Sequence, residues 1–160
     1  GELQISGPSV FAGYFGRPDA TRAAFTRDAF FRTGDVAVLE NGYYRLLGRE
    51  SVDIIKTGGF KVSALEIEET LREHPAIAEV AVVGVPDLEW GERVAAAVVL
   101  HPGASLVLPE LRDFTKQYLA PYKVPSLLYY LEALPRNVMG KVNKPELIAG
   151  LRDTHPPELR

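Results

Sequence analysis

The chain has no cysteine, one methionine, one tryptophan and three histidines among its 160 residues. Without cysteine there is no disulfide scaffold, no cysteine nucleophile and no thiolate metal site. The histidines, His74, His101 and His155, lie far apart and show no ligand spacing, so a metal site has no support. Apart from Ser105, four residues after His101, the serines have no histidine close in sequence, and a Ser-His-Asp triad is unsupported. No apolar run reaches the roughly 18 residues that a membrane helix needs. Nor is there a basic excess: 18 Lys+Arg stand against 21 Asp+Glu, a net charge of −3, which argues against a nucleic-acid partner. Internal repeats and low-complexity segments are also absent. With 46% apolar and 24% charged residues, the composition is that of a folded globular chain. The first residue is Gly and the sole Met is Met139. Our expectation is therefore a C-terminal piece of a longer protein, with the targeting information elsewhere.

Three zones follow one another. In the first, Gly1 to about Leu47, Leu3-Gln4-Ile5-Ser6 alternates like a strand. Val36 to Glu40 and Tyr43 to Leu47 flank Asn41-Gly42, a hairpin signal because a type I′ turn needs positive φ at both central residues. A short helical turn is expected between Pro18 and Phe25, with Asp19 as its cap. This zone is too short for a large core of its own, so partial order is expected there. The second zone, Gly48 to Lys61, reads as a polar, charged and glycine-marked connector, with an exposed joint at Gly48-Arg49-Glu50-Ser51, a short strand at Val52–Ile55 and a loop at Gly58-Gly59. The third zone, from Val62, reads as a compact α+β domain. Ser63 and Glu66 form a capping box for a helix running to about Glu73. Val80–Val85 and Val94–Leu100 are β-branched strands separated by a turn over Pro86 to Gly91. Leu111, Phe114, Thr115 and Tyr118 mark one buried helix face. Ser126–Leu131 is a further strand, and Asn143 caps a last helix, Lys144 to Leu151.

Three loops carry chemistry-bearing residues. Thr33-Gly34-Asp35 is an ordinary turn, or a carboxylate whose two oxygens accept from a sugar diol. Lys56-Thr57-Gly58-Gly59-Phe60-Lys61 joins two ammonium groups to a glycine pair through which backbone amides can approach a phosphate. It does not fit the phosphate-loop pattern of Gly, four residues, Gly-Lys-Ser/Thr. Pro135-Arg136-Asn137-Val138-Met139-Gly140-Lys141 presents a lysine on a loop. That lysine is either solvated or able to swing onto a developing negative charge. Trp90 reads as loop packing, and Glu66, Glu68, Glu69 and Glu73 as a solvated helix face.

Together and in this order, the three loops resemble the C-terminal end of the acyl-adenylate-forming superfamily of acyl-CoA synthetases, beetle luciferases and peptide-synthetase adenylation domains. The resemblance rests on Gly13-Tyr14, Phe31-Arg32-Thr33-Gly34-Asp35, Gly48-Arg49 through Glu66-Ile67-Glu68, Val83 to Asp87 with Gly91-Glu92, and Leu134 to Lys141. The stretches Gly48 to Glu68, Leu119 to Pro125 and Pro135 to Lys141 are similar to those of malonyl-CoA synthetases.

The resemblance implies a β-rich remnant of a large N-terminal domain over 1–48, a hinge at 49–53, and a small lid over 54–160. The lid would have a mixed or antiparallel sheet and flanking helices. It implies a two-step ligation: a carboxylate attacks the ATP α-phosphate to give an acyl-adenylate and pyrophosphate, then the CoA thiol displaces AMP. By position, Asp35 and Arg49 correspond to residues that hold the ribose. Lys141 corresponds to the adenylation lysine and Lys56 to the lysine of the second step. Gly58 and Gly59 correspond to the pantetheine tunnel and Lys61 to a phosphate contact. ATP, Mg²⁺ and CoA would serve the complete enzyme, with none of them held by this chain alone, and no metal ligand falls within it. The implied partners are the chain's own N-terminal domain and a small carboxylic acid, with no nucleic acid and no membrane span. The implied setting is the cytoplasm or the mitochondrial matrix, not secretion. By itself the chain is expected to be inactive. Two other readings stand beside this one: a non-catalytic CoA- or nucleotide-binding module, and an adenylation domain that loads a carrier protein.

Overall fold

The computed structural model describes residues 1–152. They form two compact units that meet in sequence at Ser51 and Val52. Among the described residues no helix is long and apolar enough to cross a membrane.

The first unit is a three-stranded antiparallel sheet in the order β1-β2-β3, with β1 Glu2–Ile5, β2 Phe31–Glu40 and β3 Tyr43–Arg49. Asn41 and Gly42 have φ of 52° and 84°, as the hairpin signal requires. Helix α1, Pro18–Ala24, starts with the fixed φ of its proline; no side chain caps it, and Asp19 sits inside the first turn, paired with Arg22. The expected Asp19 cap is thus corrected: Pro18 begins the helix one residue too early for Asp19 to cap it. Phe11, Tyr14, Phe25 and Phe31 pack ring against ring, with centroids 5.0–5.8 Å apart.

The second unit is built on a five-stranded mixed sheet. Strands β4 Ile54–Thr57, β5 Phe60–Ser63, β6 Ile77–Asp87 and β7 Gly91–Leu100 run in the order β5-β4-β7-β6. Strand β8, Leu127–Tyr130, joins β7 in parallel, and every other pairing is antiparallel. Side-chain alternation explains the unbroken apolar runs: Val80, Val82, Val94, Ala96 and Val98 face one core, and Ala81, Val83, Ala95 and Ala97 face the other. Helices α2 Ala64–Arg72 and α3 Leu108–Lys116 supply Ile67, Leu71 and Leu111 to the first core. Helix α4, Lys144–Arg152, supplies Leu147 and Leu151 to the second. A sheet between helices is the mixed α+β lid architecture that the sequence led us to expect.

Several boundaries differ from the sequence reading. In the joint at 48–51, Arg49, Glu50 and Ser51 are exposed as expected and Gly48 is buried, but the rest of the connector is not loose chain: residues 54–63 form the β4–β5 hairpin, with Ile54, Ile55, Thr57 and Val62 buried. Its strand is Ile54–Thr57 and not Val52–Ile55, since the pairing to β5 begins opposite Ser63. Pro86 and Asp87 belong to β6, so the turn before β7 shrinks to Leu88–Trp90. Pro86 lacks an N–H, and the loss is tolerated because β6 is an edge strand and Pro86 pairs with Glu92 next to the turn. Helix α3 ends at Lys116, leaving Tyr118 outside it and 63% exposed, while Leu111 and Thr115 are fully buried. Ser63 Oγ accepts the Glu66 N–H, as a cap should.

Candidate functional site

Asp35 and Arg49 face each other across the β2–β3 ladder, and the guanidinium Nε lies 3.1 Å from the carboxylate Oδ1. A positive φ of 76° at Gly34 shapes the backbone before Asp35. The Asp35 N–H donates to Thr33 Oγ1 at 3.0 Å, and the Glu50 N–H donates to Gly34 O at 2.9 Å. The acid and the base are thus held in one place by a cross-strand pair.

In the second unit, Lys56, Gly58, Gly59 and Lys61 share the β4–β5 hairpin. Thr57 pairs with Phe60, so Gly58-Gly59 is a two-residue turn with φ of 54° and 82°. Both values are disfavoured for a side chain bearing Cβ, which is why two glycines stand there. Strand alternation turns Ile55 and Thr57 inward and leaves Lys56 exposed. The Lys56 N–H donates to Glu92 Oε2 at 2.6 Å, and the Gly58 N–H donates to Trp90 O at 3.0 Å. Trp90 lies over the turn: a Cβ on Gly58 would come within 3.0 Å of its ring. Phe60 stacks on Tyr122 with centroids 4.4 Å apart and planes at 10°. Beside this turn is a cleft of about 350 Å³ whose walls include Thr57, Trp90, Arg93, Arg112, Tyr122 and Ser126. Two guanidinium groups, two aromatic rings and the Asp87 and Glu89 carboxylates thus share its walls.

Lys141 stands on a different loop, between β8 and α4. Its backbone is pinned: Asn137 Oδ1 accepts from both the Met139 and the Lys141 N–H at 3.0 Å, and the Asn137 N–H donates to Lys141 O at 2.8 Å. Gly140 supplies φ of 80°, and Arg136 donates to Gly140 O at 2.8 Å while pairing with Glu79. The lysine side chain is exposed on a rigidly closed turn.

Three residues behind these loops were missed in sequence. Asp53, Lys144 and Glu68 form a buried charged cluster: Lys144 Nζ lies 2.6 Å from Asp53 Oδ1 and 2.8 Å from Glu68 Oε1. Glu68 also accepts the Val82 N–H at 2.8 Å and pairs with Arg72 at 3.3 Å. The expected solvated face of α2 is therefore corrected in part: Glu69 and Glu73 are exposed, but only 4% of Glu68 is, and Glu66 pairs with Lys123 at 2.7 Å. A carboxylate at helical spacing looks solvated in sequence, since nothing local reveals a cation 76 residues away. The cluster ties the strand of Lys56, three residues past Asp53, to the helix that begins three residues past Lys141.

At the Trp90 turn, Asp87 Oδ1 accepts from the Trp90 N–H at 3.0 Å and the Glu89 N–H at 2.9 Å. These two bonds, the Trp90 one foremost, hold the Asp87 carboxyl below its ordinary value, with Arg93 adding a smaller pull in the same direction. Among the described residues no group of three or more His, Cys, Asp or Glu side chains could hold a metal ion.

Residues 66–141 match the AMP-binding enzyme C-terminal domain. The chain is 56% identical over 151 residues to the mitochondrial malonate–CoA ligase ACSF3 of Mus musculus, covering 94% of this chain and 26% of that protein. It is 54% identical to the Homo sapiens counterpart, covering 98% and 27%. The crystal structure of ATP-bound MatB from Rhodopseudomonas palustris matches 96% of this chain and 30% of its own, with a TM-score of 0.86 and 38% identity. The chain thus spans about a quarter of the length of the curated relatives it matches. Its stretch from Glu66 to Lys141, on the sheet and helices described above, belongs to the AMP-binding enzyme C-terminal domain family.

Proposed function

We propose that the chain is the C-terminal part of an ATP-dependent carboxylate–CoA ligase acting on malonate or a related short-chain acid through an acyl-adenylate. The observation that carries this reading is a pair of exposed lysines, Lys141 and Lys56, on two separately pinned loops of one unit. Carboxylate attack on ATP brings two anions together, so a positioned ammonium lowers that barrier, and Lys141 takes this role. Thioester formation places charge elsewhere, and Lys56 serves there. Asp35 and Arg49 take the ribose hydroxyls, Gly58 and Gly59 line the path of the pantetheine arm, and Lys61 meets phosphate. The cleft beside Trp90 and Tyr122, with Arg93 and Arg112, offers rings and cations to the nucleotide end of CoA.

Residues 49–53 act as the hinge between 1–48 and the lid, 54–160, so that the two lysines are used in turn. Mg²⁺ would accompany ATP on the large N-terminal domain, whose length the mouse and human relatives possess. The setting that goes with this reading is the cytoplasm or the mitochondrial matrix; the names of those two relatives carry the word mitochondrial.

The test is AMP release from ATP with malonate, Mg²⁺ and CoA, by this chain with and without a separately made upstream domain. Activity only in the mixture, lost with Lys141→Ala, is the expected result. AMP release by the chain alone, or release indifferent to Lys141→Ala, would overturn the reading. A panel of other carboxylic acids then sets the acyl preference.

A further inference from the structure

We propose that Glu92 is a positioning residue for Lys56, with Gly84 as the notch that admits its carboxylate; the role at the thioester step rests on the function proposed above. The seam between β4 and β7 is short: its ladder consists of the single pair Thr57↔Gly91. One residue earlier in β4, the Lys56 N–H has no strand partner on β7 and is taken instead by Glu92 Oε2 at 2.6 Å. A side-chain carboxylate here continues the ladder where the backbone stops, and its charge makes this bond stronger than a neutral one. The backbone of Lys56 is thereby fixed while its side chain stays exposed.

Gly84 supports the same assignment independently. It sits in the middle of β6, where glycine weakens a strand, and its φ lies outside the left-handed region. Backbone conformation therefore does not demand glycine; a side chain there would have to push the Glu92 carboxylate aside. A Cβ on Gly84 would stand 2.8 Å from Glu92 Cδ, 2.9 Å from Glu92 Oε2 and 3.1 Å from Ile55 Cγ2. The missing side chain makes room both for the Glu92 carboxylate and for the residue preceding Lys56.

Lys141 has its own anchors, Asn137 and Arg136, which share no atom with this arrangement. The two lysines are therefore separable. Loosening the Lys56 backbone displaces one ammonium and leaves the other in place, and a displacement of about 1 Å can cost up to ~100-fold in rate.

The experiment measures two half-reactions in the full-length protein: ATP–pyrophosphate exchange for adenylation, and CoA capture of preformed acyl-adenylate. Glu92→Ala is expected to slow CoA capture by about 10–100-fold and to leave exchange within about threefold. Glu92→Gln keeps a neutral acceptor oxygen and restores most of the capture rate. Gly84→Ala leaves Glu92 in the sequence but displaces its carboxylate, and it reproduces the Glu92→Ala pattern. Amide exchange at Lys56, read by NMR on this chain alone, accelerates in Glu92→Ala and Gly84→Ala and not in Glu92→Gln. Equal slowing of both half-reactions, or of neither, alongside an unchanged Lys56 amide, overturns the proposal. Lys56→Ala separates the two levels of argument. If it fails to slow CoA capture selectively, the reading of Lys56 itself fails; if it does slow capture and Glu92→Ala does not, the positioning role alone fails.

Discussion

The two units treat large apolar side chains in opposite ways. Among the described residues of Gly1–Ser51, Ala37 is the sole buried hydrophobic residue, while Phe15 is fully exposed, Tyr43 81% and Tyr44 72% exposed. In the second unit the sheet is covered on both faces, and Ile55, Ile67, Leu71, Leu111 and Leu128 are almost wholly buried. Burial of a Leu or Ile side chain contributes roughly 1.5–3 kcal/mol, so the second unit holds itself together and the first relies on hydrogen bonds and one aromatic cluster. The lesson is that the unit richest in exposed aromatics buries little apolar surface of its own, whereas the lysine-bearing unit carries its own stability.

The largest test of this contrast is amide hydrogen exchange along the whole chain. Residues 54–131 are expected to show protection roughly a thousandfold or more above that of residues 1–51. A fragment beginning at Val52 should keep a cooperative thermal transition, and a fragment ending at Ser51 should have none. Equal protection in both units would break the comparison.

Next comes the buried charged cluster. Lys144→Met leaves Asp53 and Glu68 facing each other without their shared cation, and breaking a buried pair in this way costs about 3–5 kcal/mol. Urea denaturation should show that loss in the second unit, whereas Arg49→Met, at the exposed ion pair of the first unit, should cost below about 1 kcal/mol. Similar values for the two substitutions would erase the distinction between buried and surface charge.

The hairpin turns sharpen the contrast at smaller scale. Gly42 and Gly58 both adopt positive φ, but a Cβ on Gly42 meets nothing within 4 Å, while one on Gly58 meets the Trp90 ring. Gly42→Ala should carry only backbone strain, about 1 kcal/mol. Gly58→Ala should cost somewhat more, up to about 2 kcal/mol, and should shift the emission of the chain's single tryptophan. Unaltered fluorescence in Gly58→Ala would show that Trp90 does not rest on the turn.

What was legible in sequence follows the range of the signal. Asn41-Gly42 fixed a turn locally, Ser63 announced a helix start, and the β-branched runs marked β6 and β7, because each signal lies within a few residues of the element it sets. The Lys56 hairpin was read as a connector because its burial depends on Gly91, Trp90 and Glu92, more than 30 residues away. Glu68 looked solvated because Lys144, which neutralises it, starts another helix. Tyr118 fitted a helical period, but the chain leaves the helix two residues before it. The site loops were visible as residue types; their anchors, Glu92, Asn137 and the Asp53–Lys144–Glu68 cluster, depend on tertiary contacts.

The smallest expected effect concerns pH. The turn of the first unit has no titrating group at its central residues Asn41-Gly42, so acid should act there only through the exposed Glu40–Arg45 pair beside it. The turn between β6 and β7 depends on the ionised Asp87 carboxylate, which accepts two backbone N–H groups. Its pKa is lowered in the folded chain, chiefly by the Trp90 N–H. A lowered carboxyl contributes stability that is fully present above the unfolded value near 4 and is lost as pH falls through the folded value below it. Asp87→Asn keeps an acceptor oxygen and removes the charge, so the difference in Tm between the parent chain and this variant isolates the ionic part. That difference should favour Asp87 at pH 7, stay flat down to about pH 5 and close as the solution is acidified beyond it. A difference that persists at pH 2, or one already absent at neutral pH, would mean that geometry alone holds the turn and that both hairpins are equally indifferent to charge.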